Sequence, residues 1–225
     1  TTEKFGELLE SKGESSQVLL NHEVIDLIQN DAGTTLVTNQ GKITAKHVIY
    51  CGGLQADRLA KTDGVELDMS ILGFRGDYYE LSEEGKHKVK NLIYPVPNPK
   101  FPFLGVHFTR MTDGSVECGP NAVFVFKREG YGKTDFSLKD TIDALSYKGT
   151  WNLFFINVSF GINEYRRAFS KKLFVKELQR MMPSITEADV VATRSGVRAQ
   201  AVGIQGQMID DFKIIQKATY GAIRG

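Results

Sequence analysis

His47-Val-Ile-Tyr-Cys-Gly-Gly-Leu-Gln-Ala-Asp-Arg-Leu-Ala60 changes its period in the middle. Up to Cys51 the run is continuous and mostly apolar, which predicts a buried strand. Gly52 and Gly53 then supply a hinge, and residues 54–60 carry their apolar side chains at helical spacing. Strand, Gly-Gly, helix is the local architecture of an α/β ligand site, where a helix N-terminus faces an anionic group. Upstream, extended runs at 18–28, 34–38 and 43–50 are separated by Asp31-Ala-Gly33 and Asn39-Gln-Gly41. Short, glycine-bearing links between strands predict a β-meander. Before it, Phe5, Leu8 and Leu9 fall at i, i+3 and i+4, a short amphipathic helix over 3–12 that Gly13 stops.

Downstream the character shifts near residue 64. Residues 69–81 alternate loosely, and 92–96, 103–111, 115–126, 190–202 and 207–216 are further strand candidates. Pro95, Pro97, Pro99 and Pro102 force an extended stretch with few ladder donors, suited to an edge or a crossing loop. Residues 137–148 and 171–182 predict helices. In the second, Phe174, Leu178, Met181 and Met182 share a face, and Pro183 ends it. The fold class expected is α+β, with a largely antiparallel second part flanked by helices.

Charge and composition exclude several classes. Of 225 residues, 28 are Lys or Arg and 27 Asp or Glu, a formal net charge of +1, which argues against a nucleic-acid binder. At 41% hydrophobic the chain can bury a core. Cys51 and Cys118 stand alone, too few for a disulfide scaffold or a zinc ribbon. No apolar run reaches the roughly 18 residues a spanning helix needs. The chain lacks an initiator Met and opens inside a helix, the expectation for a piece of a larger polypeptide. No GxGxxG or GxSxG is present. Gly132-Lys-Thr134 imitates the end of a phosphate loop, but Lys127 stands where its first glycine belongs. The four histidines form no metal pair, so no metal site is expected.

Arg75 and Arg198 sit in apolar, glycine-flanked strand sequences. A guanidinium there needs an anion: an internal carboxylate such as Asp77, Asp210 or Asp211, or the carboxylate of a small organic acid, which it matches in bidentate fashion. His107, flanked by apolar residues on a strand, is placed as a proton-abstracting base or as a satisfied core histidine. Tyr78, Tyr79 and Tyr94 offer phenols to a polar substrate or to the core; adjacent on a strand, Tyr78 and Tyr79 point to opposite faces.

Gly73-Phe-Arg-Gly-Asp-Tyr-Tyr79, Leu92-Ile-Tyr-Pro-Val-Pro97, Phe103-Leu-Gly-Val-His-Phe-Thr-Arg110, Gly119-Pro-Asn-Ala122, Gly196-Val-Arg-Ala-Gln-Ala201 and Ile209-Asp-Asp-Phe212 together resemble the L-2-hydroxyglutarate oxidase or dehydrogenase family. These are FAD-dependent oxidoreductases of the D-amino-acid-oxidase type, and the resemblance runs from about residue 3 to about 216. It implies part of an FAD-binding α/β domain over 1–63, a substrate domain over 64–205 whose antiparallel sheet roofs the flavin, and an incomplete return towards the FAD domain over 206–225. It implies FAD contacts from Val24, near the adenine, and from Cys51, Gly52 and Gly53, against the flavin. Tyr50 stands where Asn is frequent in the family, and a glycine replaces its alanine. The family's fingerprint is expected upstream of Thr1 and its flavin-returning segment after Phe212; residues 216–225 depart from its pattern. On this resemblance the parent oxidises a 2-hydroxy dicarboxylate, L-2-hydroxyglutarate, to the 2-oxo acid, and the fragment by itself is inactive. Arg198 is the first carboxylate anchor, Arg75 the second, His107 the base, and Tyr79 or Tyr94 an orienting phenol. The electron acceptor is oxygen or a quinone chain. The expected location is cytoplasmic, or peripheral to the inner membrane. An amine oxidase of the glycine or sarcosine type and a cofactor-free binding domain are the alternatives.

Overall fold

The computed structural model describes residues 2–13, 15–30, 33–96 and 105–217. The strand candidate at 103–104, Pro97, Pro99 and Pro102, Asp31 and most of the 216–225 tail lie outside the described residues. The chain divides into two units, one formed by 1–51, 58–65 and 214–225, the other by 52–57 and 66–213.

In the first unit, α1 (Thr2–Glu10) precedes a three-stranded antiparallel meander of β1 (Val24–Asn30), β2 (Gly33–Thr38) and β3 (Gly41–Ala45). The strand expected to run on to Tyr50 ends at Ala45, where its pairing with Thr34 of β2 ends. Residues 47–52 form no ladder. A continuous apolar run becomes a strand only with neighbours on its edges, and no described strand lies beside this one.

The second unit takes in a single 3-10 turn, Gly53–Gln55, and the start of α2 (Ala56–Thr62), whose residues from 58 on fall in the first unit. The sheet of the second unit orders β5 (His107–Arg110), β6 (Val116–Gly119), β4 (Met69–Leu81), β8 (Val190–Gly203) and β9 (Met208–Ile209), with β7 (Val123–Phe124) also paired to β4. All pairs are antiparallel. β4 and β8 run side by side over almost their full length, Met69 opposite Gly203 and Leu81 opposite Val190, with a bulge near Tyr78. The candidate at 115–126 breaks into β6 and β7, because Gly119 (φ +132°) turns the chain against β4: a Cβ there would meet the Asp77 carbonyl oxygen at 2.9 Å. The candidate at 92–96 holds a single bridge, Ile93 to Phe108. That at 207–216 shortens to the two residues of β9.

Four helices follow β7: α3 (Leu138–Ser146), α4 (Lys148–Ile156), α5 (Val158–Phe169) and α6 (Lys171–Leu178). Ser137 and Ser170 cap α3 and α6, each hydroxyl accepting a backbone N–H three residues on. α4 and α5 are not legible in the sequence: Trp151-Asn-Leu-Phe-Phe-Ile156 is apolar nearly all round, so no stripe marks a helix. One core forms where Phe174 and Leu178 of α6 meet Tyr79, Phe108, Cys118 and Val190 of the sheet. A second joins Leu72, Phe124 and Val202 to Leu153 of α4.

Candidate active site

The two faces of the sheet separate the expected site residues. Directly opposed residues on an antiparallel ladder share a face, and successive residues alternate. Tyr79 opposes Cys118, which opposes Phe108, so all three point into the α6 core. The Tyr79 ring lies 4.5 Å from that of Phe174, and burial together with Asp77 raises its phenol pKa. Arg75 and Asp77 are buried on the same side of β4. Arg75 donates from Nε to Asp77 Oδ1 at 2.8 Å and from Nη1 to the Gly132 carbonyl at 2.7 Å. Asn121 closes the network, donating to Asp77 Oδ2 at 3.1 Å and accepting the Asp77 N–H at 2.7 Å. Of the two readings of Arg75, the internal carboxylate is thus met within the fold.

The other face carries His107, Thr109 and Tyr78. Arg198 opposes Phe74 on that face. Tyr94 stacks on His107, with ring centroids 4.4 Å apart and planes 18° apart, and its hydroxyl shares a hydrogen bond of 3.0 Å with Thr109 Oγ1. His107 is half-buried, and its Nδ1 lies 3.1 Å from the Gly105 carbonyl oxygen. A carbonyl only accepts, so Nδ1 carries the proton and Nε2 is left as the basic atom. Burial lowers the His107 pKa first, and the positive charge of Arg198 lowers it further. The imidazole is therefore neutral at neutral pH, the form able to take a proton. The structure brings together His107, Tyr94 and Arg198, and leaves Tyr79 and Arg75 on the opposite face.

Arg194 joins this face, though its sequence context did not single it out. Its guanidinium lies 5.9 Å from the centre of the Tyr78 ring and pairs with Glu117 at 2.9 Å. The available signal was its spacing, four residues before Arg198 on one strand. Thr109 was also passed over; two residues past His107, it leaves β5 on the same side.

Of the expected cofactor residues, Val24 opens β1 opposite Thr38, and Cys51 is exposed. Gly53 adopts φ +52°, and a Cβ there would meet nothing within 4 Å, so its backbone faces open space. An open glycine backbone lets a flat ring system such as that of a flavin approach closely. The turn is held by its own unit: Arg128 donates to the Leu54 carbonyl at 2.7 Å and to Asp57 Oδ2 at 2.9 Å, and Asp57 in turn accepts the Ile71 N–H at 3.0 Å.

A neutral imidazole, a stacked phenol and two guanidiniums share one sheet face, a set whose chemistry suits a small organic anion. The sequence model described as FAD dependent oxidoreductase matches residues 6–220, and the chain belongs to that family. Among similar curated proteins, the L-2-hydroxyglutarate dehydrogenase of Nematostella vectensis, a mitochondrial protein, is 50% identical over 80% of this chain and 39% of its own length. That of Indibacter alkaliphilus is 43% identical over 94% of the chain and 53% of its own length. That of Escherichia coli K12 is 40% identical over 95% and 50%. The chain thus spans about half the length of these relatives or less. Among solved structures, the FAD-bound L-α-glycerophosphate oxidase of Mycoplasma pneumoniae superposes with a TM-score of 0.56 at 19% identity, covering 82% of this chain and 40% of that one. The glycerol-3-phosphate dehydrogenase of Bacillus halodurans, complexed with FAD, gives 0.51 at 13%, covering 84% and 35%. These two likenesses concern the fold. No helix among the described residues is long and apolar enough to cross a membrane.

Proposed function

We propose that the protein to which this chain belongs oxidises L-2-hydroxyglutarate to 2-oxoglutarate with FAD. The observation that carries the reading is the face shared by His107, Tyr94 and Arg198, in a chain 40–50% identical to proteins named for that reaction. Residues 64–205 form the substrate domain, 1–63 part of the FAD-binding domain, and 206–225 the return towards it. Val24, Cys51, Gly52 and Gly53 would hold FAD.

The substrate carries two carboxylates and a hydroxyl on C2. Arg198 binds one carboxylate, and Arg194, on the same face, binds the other as Glu117 yields its hold. Arg75 serves from beneath, fixing Asp77 and the backbone of β4. His107 Nε2 accepts the hydroxyl proton as the C2–H bond breaks and C2 becomes a carbonyl carbon. When bound, FAD supplies the acceptor for the hydride that leaves C2. Tyr94 orients the imidazole. The final electron acceptor is oxygen or a quinone, and the protein works in the cytoplasm or at the periphery of the inner membrane. A glycine or sarcosine oxidase has one substrate carboxylate to bind, which a pair of cations on this face disfavours.

Anaerobic titration of the full-length protein tests the reading. L-2-hydroxyglutarate should bleach the flavin absorbance, and the D-enantiomer and glycine should not. Arg198→Ala should raise the concentration needed at least tenfold. A flavin left oxidised by the L-acid overturns the assignment.

A further inference from the structure

Tyr94 reaches His107 from outside any strand. Its backbone is tethered by the neighbouring bridge, Ile93 N–H to the Phe108 carbonyl at 3.0 Å and the reverse bond at 2.9 Å. That bridge fixes where Tyr94 starts, while the residue is 56% exposed and its ring can swing about χ1 unless something holds its tip. The described contact at the tip is the 3.0 Å hydrogen bond to Thr109 Oγ1. Thr109 therefore grips the phenol at one end while the ring covers the imidazole at the other.

We propose that Thr109 is a positioning residue: through the Tyr94 hydroxyl it keeps the phenol ring stacked on His107, and the stacked ring stabilises the imidazolium formed when Nε2 takes the substrate's hydroxyl proton. This rests on the reading of His107 as the base. The π-face of a phenol attracts a cation more strongly than it attracts a neutral ring. The stack thus acts on the charged form, which appears only as the proton moves, and such an interaction raises kcat rather than tightening ground-state binding. It opposes the burial and the Arg198 charge that disfavour imidazolium. The other ionisable groups of this face among the described residues include Glu117, opposite Thr109 on β6 and paired with Arg194, Glu80, opposite Glu117 on β4, and Tyr78 beneath Arg194. Neither the His107 backbone tie to Gly105 nor the Arg198 charge depends on Thr109, so the stack can be altered by itself.

The first measurement is an NMR titration of the imidazoles of His22, His47, His87 and His107 in the full-length protein. Thr109→Val should lower the His107 pKa by about half a unit to one unit and leave the other three in place. Thr109→Ser, which keeps the hydroxyl, should restore it. Tyr94→Phe should behave like Thr109→Val, and Tyr94→Leu should lower the value at least as far. The acid limb of kcat should move the same way, with KM for L-2-hydroxyglutarate unchanged. If His107→Gln abolishes flavin reduction but Thr109→Val leaves the His107 titration where it was, this inference is overturned and the base assignment stands. If His107→Gln reduces flavin at the normal rate, the base assignment falls, and the catalytic role of Thr109 with it.

Discussion

Asp77 illustrates how a buried residue is held by what surrounds it. Its carboxylate takes hydrogen bonds from Arg75 and Asn121 in a site closed to water. Asp77→Ala strands the Arg75 guanidinium without its counter-charge, and removing one partner of a buried pair costs about 3–5 kcal/mol. Urea unfolding should show the loss, and an equally stable variant would mean the pair is not buried in solution. His107 yields a pH prediction. Only its neutral form can accept a proton, so kcat/KM rises with pH through its pKa and then levels off. Burial and Arg198 lower that pKa, so the limb lies below the ordinary value of about 6.5. A limb above that value would contradict the geometry. Stability follows the same sign: the unfolded chain binds a proton that the folded state resists, so stability falls as pH drops through the unfolded value. His107 was picked out from sequence by its apolar flanks, and Asp77 as an internal carboxylate for Arg75. The flanks could not say which face each side chain takes, because that depends on ladder register.

At the scale of elements, α4 shows local preference overruled by packing. By intrinsic propensity, Gly149→Ala should stabilise a helix by about 1 kcal/mol. Here the added methyl would collide with the Gly203 carbonyl of β8 and the Tyr147 ring. The helix lies too close to the strand for any side chain at that position. We expect Gly149→Ala to destabilise by about 1–3 kcal/mol, a reversal of sign readable as a lower melting temperature. A higher melting temperature would place α4 further from β8. α4 and α5 escape detection in the sequence for a different reason. Their apolar residues are not confined to a buried face, since Phe155, Ile156, Val158 and Ile162 are exposed, so an apolar stripe does not mark which side packs. β4 and β8, in contrast, were legible almost end to end. The run expected as a strand up to Tyr50 was misread because its pattern describes burial, whereas a strand also requires a neighbour.

Across the whole molecule, burial is uneven. Every buried hydrophobic side chain among the described residues lies between Ile71 and Val202. The first unit exposes Phe5, Leu20, Ile25 and Ile49 instead. Protection against amide exchange tracks the free energy of local opening. In this 225-residue chain the amides of β4 and β8 should exchange about a hundredfold more slowly than those of β1–β3. Equal protection in a hydrogen-exchange experiment would show that the first unit has a core of its own.

Sequence by itself determined the fold class, the antiparallel second part, the helix α6 and the family, because each of these is written in local periodicity or in short runs of residue types. It also supplied the candidates His107, Tyr94 and Arg198. Tertiary structure alone decided that these three meet, that Tyr79 and Arg75 face the other way, and that Arg194 and Thr109 complete the face. The physical reason is register. Strand pairing sets which residues oppose one another over separations from about 12 to about 124 positions, as between His107 and Gly119 or between Phe74 and Arg198. A shift of one residue would turn each of these side chains to the opposite side of the sheet.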